Sequence, residues 1–297
     1  MLQRRVSIAI LCALLLACVL AAAETGFAAE ADAPSQKLHI AGLDVAAWIP
    51  SRDTPGPWPI IIFSHGFHGC NTQSAFLTAA LAQAGYTVFA PNHRDAACKG
   101  QGQLRNWLKR PVVPFDQPNG WSDATYADRD QDIEKLIDAL SANPQYRSPP
   151  FDWNRLGLAG HSLGGYTVLG VAGAWPRWKD RRVRAVLALS PYTNPFLVRK
   201  TLDDLDAPVM YQGGTSDVGI TPFVKKRDGA YDQSPAPKYF VEFEGAGHMA
   251  WTNLRDTYHP AIIDYSRAFL DHYLKGKPLP ANFADSHKDV SAFEMKQ

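Results

Sequence analysis

The most apolar stretch of the chain, residues 6–23, stands at the N-terminus behind Arg4 and Arg5 and ends in small residues. A basic start, an apolar run and a small-residue end form the pattern of a secretory leader. Cleavage sites of the A-x-A kind follow Ala21-Ala22-Ala23 and Phe27-Ala28-Ala29, so the leader ends at residue 23 or 29. The run is long enough to cross a bilayer if retained, which leaves an uncleaved anchor as one alternative and lipidation at Cys18, in Leu15-Leu16-Ala17-Cys18, as another. Lipidation would make Cys18 the mature N-terminus, whereas apolar sequence continues past it. Export to a periplasmic or extracellular space is therefore expected. No later stretch is apolar enough to span a membrane, so no stable span is expected once the leader is removed.

Beyond the leader, short buried-strand runs alternate with helical stripes. Residues 38–49 alternate in the manner of a strand or hairpin, with Gly42 at its turn, and residues 50–59 are a proline-rich connection. Ile60-Ile61-Ile62-Phe63 is a continuous β-branched and aromatic run, the signature of a strand buried on both faces of a parallel sheet. An Ala- and Leu-rich helix is predicted at 74–84, ended by Gly85, followed by a buried strand at 86–90 that Pro91 closes. Ile133, Leu136, Ile137 and Leu140 put one apolar stripe on a helix over 128–140. Further strands are predicted at 156–159, 183–189, 208–212 and 238–243, and an amphipathic helix at 260–274. This alternation implies an α/β domain over 30–275, with a mainly parallel central sheet flanked by helices on both faces. Residues 276–297 read as a polar tail. Residues 92–122, with Pro111, Pro114, Pro118, Trp107 and Trp121, have no clean period; at that length they are either a functional loop or a set of short helices.

Composition changes this picture in two respects. Thirty basic and twenty-nine acidic side chains nearly cancel, and no Lys/Arg cluster alternates with aromatics, so there is no electrostatic case for nucleic acid or another polyanion. Of the four cysteines, Cys70 and Cys98 lie beyond the leader, and in an oxidising compartment such a pair is more often a disulfide than two thiols. Neither sits in a C-x-x-C arrangement, and the spacing of His65, His68 and His93 matches no zinc motif, so no metal is expected.

Candidate chemistry lies at Gly160-His161-Ser162-Leu163-Gly164-Gly165. This G-x-S-x-G pattern sits between a predicted strand and a small-residue helical stretch at 166–174. A serine held on so sharp a turn needs flanking glycines, because side chains there would collide with the neighbouring strand and helix. Its hydroxyl is too weakly acidic to attack unaided and needs a histidine base oriented by a carboxylate, both placed after the serine in this arrangement. Of His248, His259, His272 and His287, only His248 lies just beyond a strand, in Gly245-Ala246-Gly247-His248. Asp217 follows the strand at 208–212 and is the candidate carboxylate. Asp203, Asp204 and Asp206 precede that strand, Asp228 and Asp232 lie in a polar loop, and Glu244 is the rival. The expected oxyanion donors are the N–H groups of Leu163 and of Phe67, the latter in the loop Ser64-His65-Gly66-Phe67 beyond the run 60–63. Tyr192, Trp107, Trp121 and Trp251 are candidates for an apolar substrate surface, with plain packing as the alternative for each.

In order along the chain, Phe63-Ser64-His65-Gly66-Phe67, Ala90-Pro91-Asn92-His93-Arg94, the Ser162 motif, Gly213-Gly214-Thr215-Ser216-Asp217 and Gly245-Ala246-Gly247-His248 resemble one group of proteins. It is the dienelactone hydrolase-like branch of the α/β hydrolases, near the platelet-activating-factor acetylhydrolases and the bacterial cutinases and polyester hydrolases. The resemblance runs over about residues 38–274. It implies an α/β-hydrolase fold and hydrolysis of a carboxylic ester without a cofactor, and it supports Ser162, Asp217 and His248 in their roles. Dienelactone hydrolases proper use a cysteine where Ser162 stands, and polyester hydrolases usually carry Trp where His161 and Tyr192 stand. The expected substrate is therefore a small or lipid-like ester, with a polymeric ester second. Amidase, peptidase or thioesterase chemistry on the same fold, and a non-catalytic binding protein, are the further alternatives.

Overall fold

The structure, a computed structural model, describes residues 32–97, 110–285 and 287–297. The predicted leader, Cys18, Trp107, and Cys98 with its expected bond to Cys70 lie outside the described residues. The chain divides into two units, Met1–Ala33 and Pro34–Gln297, and the fold is that of the second.

Gln36–Ile40 (β1) and Leu43–Trp48 (β2) form the hairpin expected over 38–49. Ala41 and Gly42 both take positive φ, 53° and 76°, as the two central residues of a tight hairpin turn must. The buried runs follow as β3 (Trp58–Ser64), β4 (Thr87–Pro91), β5 (Phe151–His161), β6 (Val183–Leu189), β7 (Val209–Gly214) and β8 (Lys238–Phe243), and Val290–Lys296 adds β9. Among the described residues they form one sheet in the order β1-β2-β4-β3-β5-β6-β7-β8-β9. Its centre, from β4 through β3 and β5 to β8, is parallel; β1 with β2, β2 with β4, and β8 with β9 are antiparallel.

The helices are α1 (Ala75–Gln83), α2 (Ala127–Ala142), α3 (Leu163–Leu169), α4 (Asn194–Arg199), α5 (Thr221–Lys225), α6 (Ala230–Gln233) and α7 (His259–Lys275). They cover both faces because the central strands are apolar on both. Ile60 and Ile62 share a core with Ile133, Leu136 and Ile137 of α2, while Ile61 and Phe63 pack in the core that holds Leu77 of α1 and Leu270 of α7. The sheet with its two helical layers is an α/β-hydrolase fold. The helix expected at 166–174 starts earlier, at Leu163, and relaxes into a π-type turn over Gly170–Ala174. The unpatterned stretch before α2 is organised by side chains instead of period: Trp121 is fully buried against Phe115, Tyr126, Tyr166 and Tyr192.

The last residues correct the expectation of a polar tail over 276–297, since β9 pairs along β8 as the edge of the sheet. Phe293 packs with ring centroids 5.3 Å from Phe283 and 6.0 Å from Tyr265. An edge strand with one face in water needs few apolar positions, and that leaves a polar sequence with no visible alternation. Strand order also locates the site. From β3 the chain moves to β4 on one side and returns to β5 on the other, and at such a reversal the carboxyl ends of parallel strands leave a crevice between their connections. If β9 is an integral strand, Phe293→Ala should lower the unfolding free energy by about 1–2 kcal/mol for its half-buried ring, read by urea titration; a variant as stable as the parent would mean that residues 290–297 do not support the fold.

Candidate active site

Ser162 sits between β5 and α3 with φ 57° and ψ −115°, a conformation costly for a residue with a side chain. Close backbone packing imposes it. A Cβ on Gly160 would overlap the Gly164 carbonyl, and one on Gly164 would overlap the Ser64 carbonyl at the end of β3, so the turn closes on β3 only because both are glycine. The Ser162 N–H donates to Leu189 O at the end of β6 (3.0 Å), and Ser162 O accepts from the Tyr192 N–H (3.1 Å). Leu163, the first residue of α3, has its side chain buried.

His248, in a turn after β8, brings Nε2 to 2.9 Å from Ser162 Oγ. Asp217, buried just past β7, has Oδ2 3.3 Å from His248 Nδ1. The rival Glu244 is exposed, with its backbone N–H on Asp289 O and its carbonyl accepting from Tyr258 Oη. Ser190, which the sequence pattern did not single out, stands beside both partners: its Oγ is 2.8 Å from His248 Nδ1 and donates to Asp217 Oδ2.

His161 entered the sequence reading only as a departure from a pattern. Its buried ring accepts from Gln73 Nε2 at Nδ1 (2.9 Å) and donates through Nε2 to the His248 carbonyl (2.9 Å), while Gln73 Oε1 accepts from the Gly66 N–H (3.0 Å). Burial first, and the neighbouring His248 second, hold its pKa well below the ordinary imidazole value. The neutral ring can then accept at one nitrogen and donate at the other, as its two contacts require. Gln73 and His161 so tie the loop after β3 to the backbone of His248.

A buried cation underlies the same loop. Arg129 of α2, fully buried, pairs with Asp95 Oδ2 at 2.8 Å and donates to the carbonyls of His65 (2.8 Å) and Gly66 (3.3 Å). Gly66 O also accepts from His65 Nδ1 (2.7 Å) and the Gly69 N–H (2.9 Å). A trans peptide directs its C=O and N–H to opposite sides, so anchoring Gly66 O on Arg129 turns the Phe67 N–H away from that cluster. Burial alone would raise the Asp95 pKa, but the Arg129 charge outweighs it and keeps the carboxyl below its usual range. His65 is pushed down to about 3, and His93 well below the ordinary value, by burial first and Arg129 second. Both rings are neutral and internally bonded: His65 Nε2 accepts from the His93 N–H (3.1 Å), His93 Nε2 accepts from Ser64 Oγ (2.9 Å), and His93 Nδ1 donates to Asp132 (2.9 Å).

In front of Ser162 and His248 opens a cavity of about 760 Å³ with walls from Phe67, Phe115, Tyr192, Ile220 and Phe223. Tyr192 keeps its ring in that wall while its hydroxyl donates to Phe115 O (2.7 Å). Trp121 and Trp251 do not line it, contrary to their candidacy. Both are fully buried, and their indole N–H groups donate inside the core, to Pro114 O (3.1 Å) and Gln212 Oε1 (3.0 Å), which satisfies each indole away from solvent. Phe115, Ile220 and Phe223 went unnoticed because single apolar residues in loops, or in a helix as short as α5, carry no periodic signal.

A family model of platelet-activating factor acetylhydrolase, isoform II, matches residues 43–111, a stretch that includes the loop after β3 and ends before Ser162. The bis(hydroxyethyl) terephthalate hydrolase of Streptomyces coelicolor is 21% identical over 244 residues, 81% of this chain and 67% of that protein. The platelet-activating factor acetylhydrolases of Cavia porcellus and Bos taurus are 24% and 26% identical over 176 residues, 50% of this chain. The chain spans only 38% of the length of each acetylhydrolase. Fold and matches point to one class: the sheet has the order and helical layers of an α/β hydrolase, and the proteins the chain resembles are named as ester hydrolases. Within that class its similarity is to platelet-activating factor acetylhydrolases and to a bis(hydroxyethyl) terephthalate hydrolase.

The anchored loop generates a stability prediction. Arg129→Met leaves Asp95 buried without its cation and should cost about 3–5 kcal/mol in urea unfolding at neutral pH; a loss below about 1 kcal/mol, the range of exposed pairs, would contradict a buried ion pair.

Proposed function

We propose that this chain is an exported serine hydrolase that cleaves small or lipid-like carboxylic esters through an acyl-enzyme. One observation carries the reading: a histidine nitrogen 2.9 Å from the hydroxyl of a serine held in a strained turn, at the floor of an apolar pocket. His248 Nε2 takes the proton as Ser162 Oγ attacks the ester carbonyl, and the N–H groups of Phe67 and Leu163 receive the oxyanion. The imidazolium, stabilised by Asp217, returns its proton to the leaving alkoxide. Water then enters, gives a proton to the same nitrogen and releases the acid, restoring the serine.

The pocket supports an uncharged acyl group. Its walls are mainly apolar, and among the described residues its charged acidic members are Asp116 and Asp217, with no lysine or arginine beside them, so a carboxylated substrate would meet like charge there. A polymeric ester is the second reading; the relative that hydrolyses bis(hydroxyethyl) terephthalate, an aromatic diester, and the open aromatic wall of the pocket are what support it. Export rests on the leader pattern of residues 1–29; among the described residues no helix is long and apolar enough to cross a membrane.

Ser162→Ala should lower turnover of p-nitrophenyl esters by at least about 10⁴-fold while the protein still unfolds cooperatively, and a fluorophosphonate should label the parent at Ser162 only. Substantial turnover by the variant, or an unlabelled Ser162 in folded parent, would sink the proposal. Rates across a series of p-nitrophenyl esters of rising chain length, compared with release from a polyester film, should favour the small esters; a film preferred over every small ester would reverse the two readings.

A further inference from the structure

We infer that Ser190 is a positioning residue of this site, a hydroxyl relay through which Asp217 orients the base. The inference rests on the roles proposed above for Ser162, His248 and Asp217. Its ground is the geometry at His248 Nδ1, where the Ser190 oxygen lies at 2.8 Å and the nearer Asp217 oxygen at 3.3 Å. Ordinary N–H···O bonds span about 2.7–3.2 Å, so the hydroxyl is the better-placed acceptor and the carboxylate stands one step behind it.

Counting protons leaves one arrangement. An ionised carboxylate only accepts, and a serine hydroxyl has a single hydrogen. Ser190 Oγ donates that hydrogen to Asp217 Oδ2, so its lone pair faces His248 and can only accept. Nδ1 must then carry a hydrogen, which leaves the Nε2 lone pair directed at Ser162 Oγ. Fixing that tautomer is the task usually given to the carboxylate alone. When Nε2 takes the serine proton, the imidazolium keeps its Nδ1–H on a hydroxyl already polarised by Asp217, and no proton need leave Ser190.

The backbone is built around this contact. Ser190, fully buried directly after β6, has φ 42°, in the left-handed region that glycine occupies far more readily. Its N–H donates to Gln212 O of β7 at 2.7 Å, so the sheet edge holds the strained residue in place. Glycine would relieve the strain but would offer no oxygen to Nδ1.

Ser190→Ala keeps the Cβ, and Ser190→Gly relaxes the backbone; both delete the relay. In the full chain each should lower kcat on a short p-nitrophenyl ester by about 10- to 100-fold, with KM within about twofold because the residue touches no substrate. The downfield proton resonance of His248 Nδ1–H should shift or broaden in both variants. Added to Asp217→Asn, Ser190→Ala should cause little further loss, since the two act in series. Parent-like kcat and Nδ1–H resonance in the folded variants, or losses that multiply with Asp217→Asn, would overturn the relay while leaving the triad reading intact. A parent that fluorophosphonate does not label at Ser162 would instead remove the reading on which the relay rests.

Discussion

The contact between Gly164 and the Ser64 carbonyl is the constraint on which the site is built. Because no side chain separates them, the turn after β5 can lie directly against the end of β3, and Ser162 is forced into its left-handed conformation. That one approach sets the distance between two loops with different origins, the turn carrying Ser162 and the loop carrying Phe67. Any larger residue would push the two apart and separate the proposed nucleophile from one of its proposed oxyanion donors.

Every other component is held from outside its own loop. β6 fixes Ser162 through Leu189 O, His161 holds the His248 carbonyl, Ser190 bonds Asp217, and Arg129 with Gln73 anchors the loop after β3. These tethers bond to backbone or to partners buried in the fold, so the proposed reacting groups are held in place by the fold itself. Such preorganisation lets fixed dipoles meet developing charge without having to reorient. A buried arginine is costly to desolvate, and this one is compensated by Asp95 and by loop carbonyls that it orients in return. Its positive field, added to burial, also keeps His65 and His93 neutral, which fits their place in a hydrogen-bonded scaffold.

The pocket has a different character. Phe115 and Ile220 come from connections, and Phe223 from the short helix α5 that follows one, none of them from the sheet; connections accept change more readily than the strands beneath them. A chain only 21–26% identical to its relatives can therefore share their scaffold and still shape a cavity of its own. The family match over residues 43–111 covers β2, β3, β4 and the pocket residue Phe67, and stops before β5 and before the walls contributed by Ile220 and Phe223.

The sequence by itself determined the buried central strands of the sheet and the candidate nucleophile. Continuous apolar runs such as Ile60 to Phe63 encode strands buried on both faces, and glycines flanking Ser162 encode a turn that few other residues can make; both are local signals. His248 and Asp217 were also legible, because each follows a strand end in the expected order. Partners far apart in sequence were decided only by tertiary structure. Ser190 and Gln73 are ordinary polar residues until folding places one beside His248 and the other beside Gly66 and His161. Trp121 and Trp251 changed from candidate surface to core, and residues 290–296 from tail to strand, since hydropathy records a side chain's preference but not the neighbours that satisfy it.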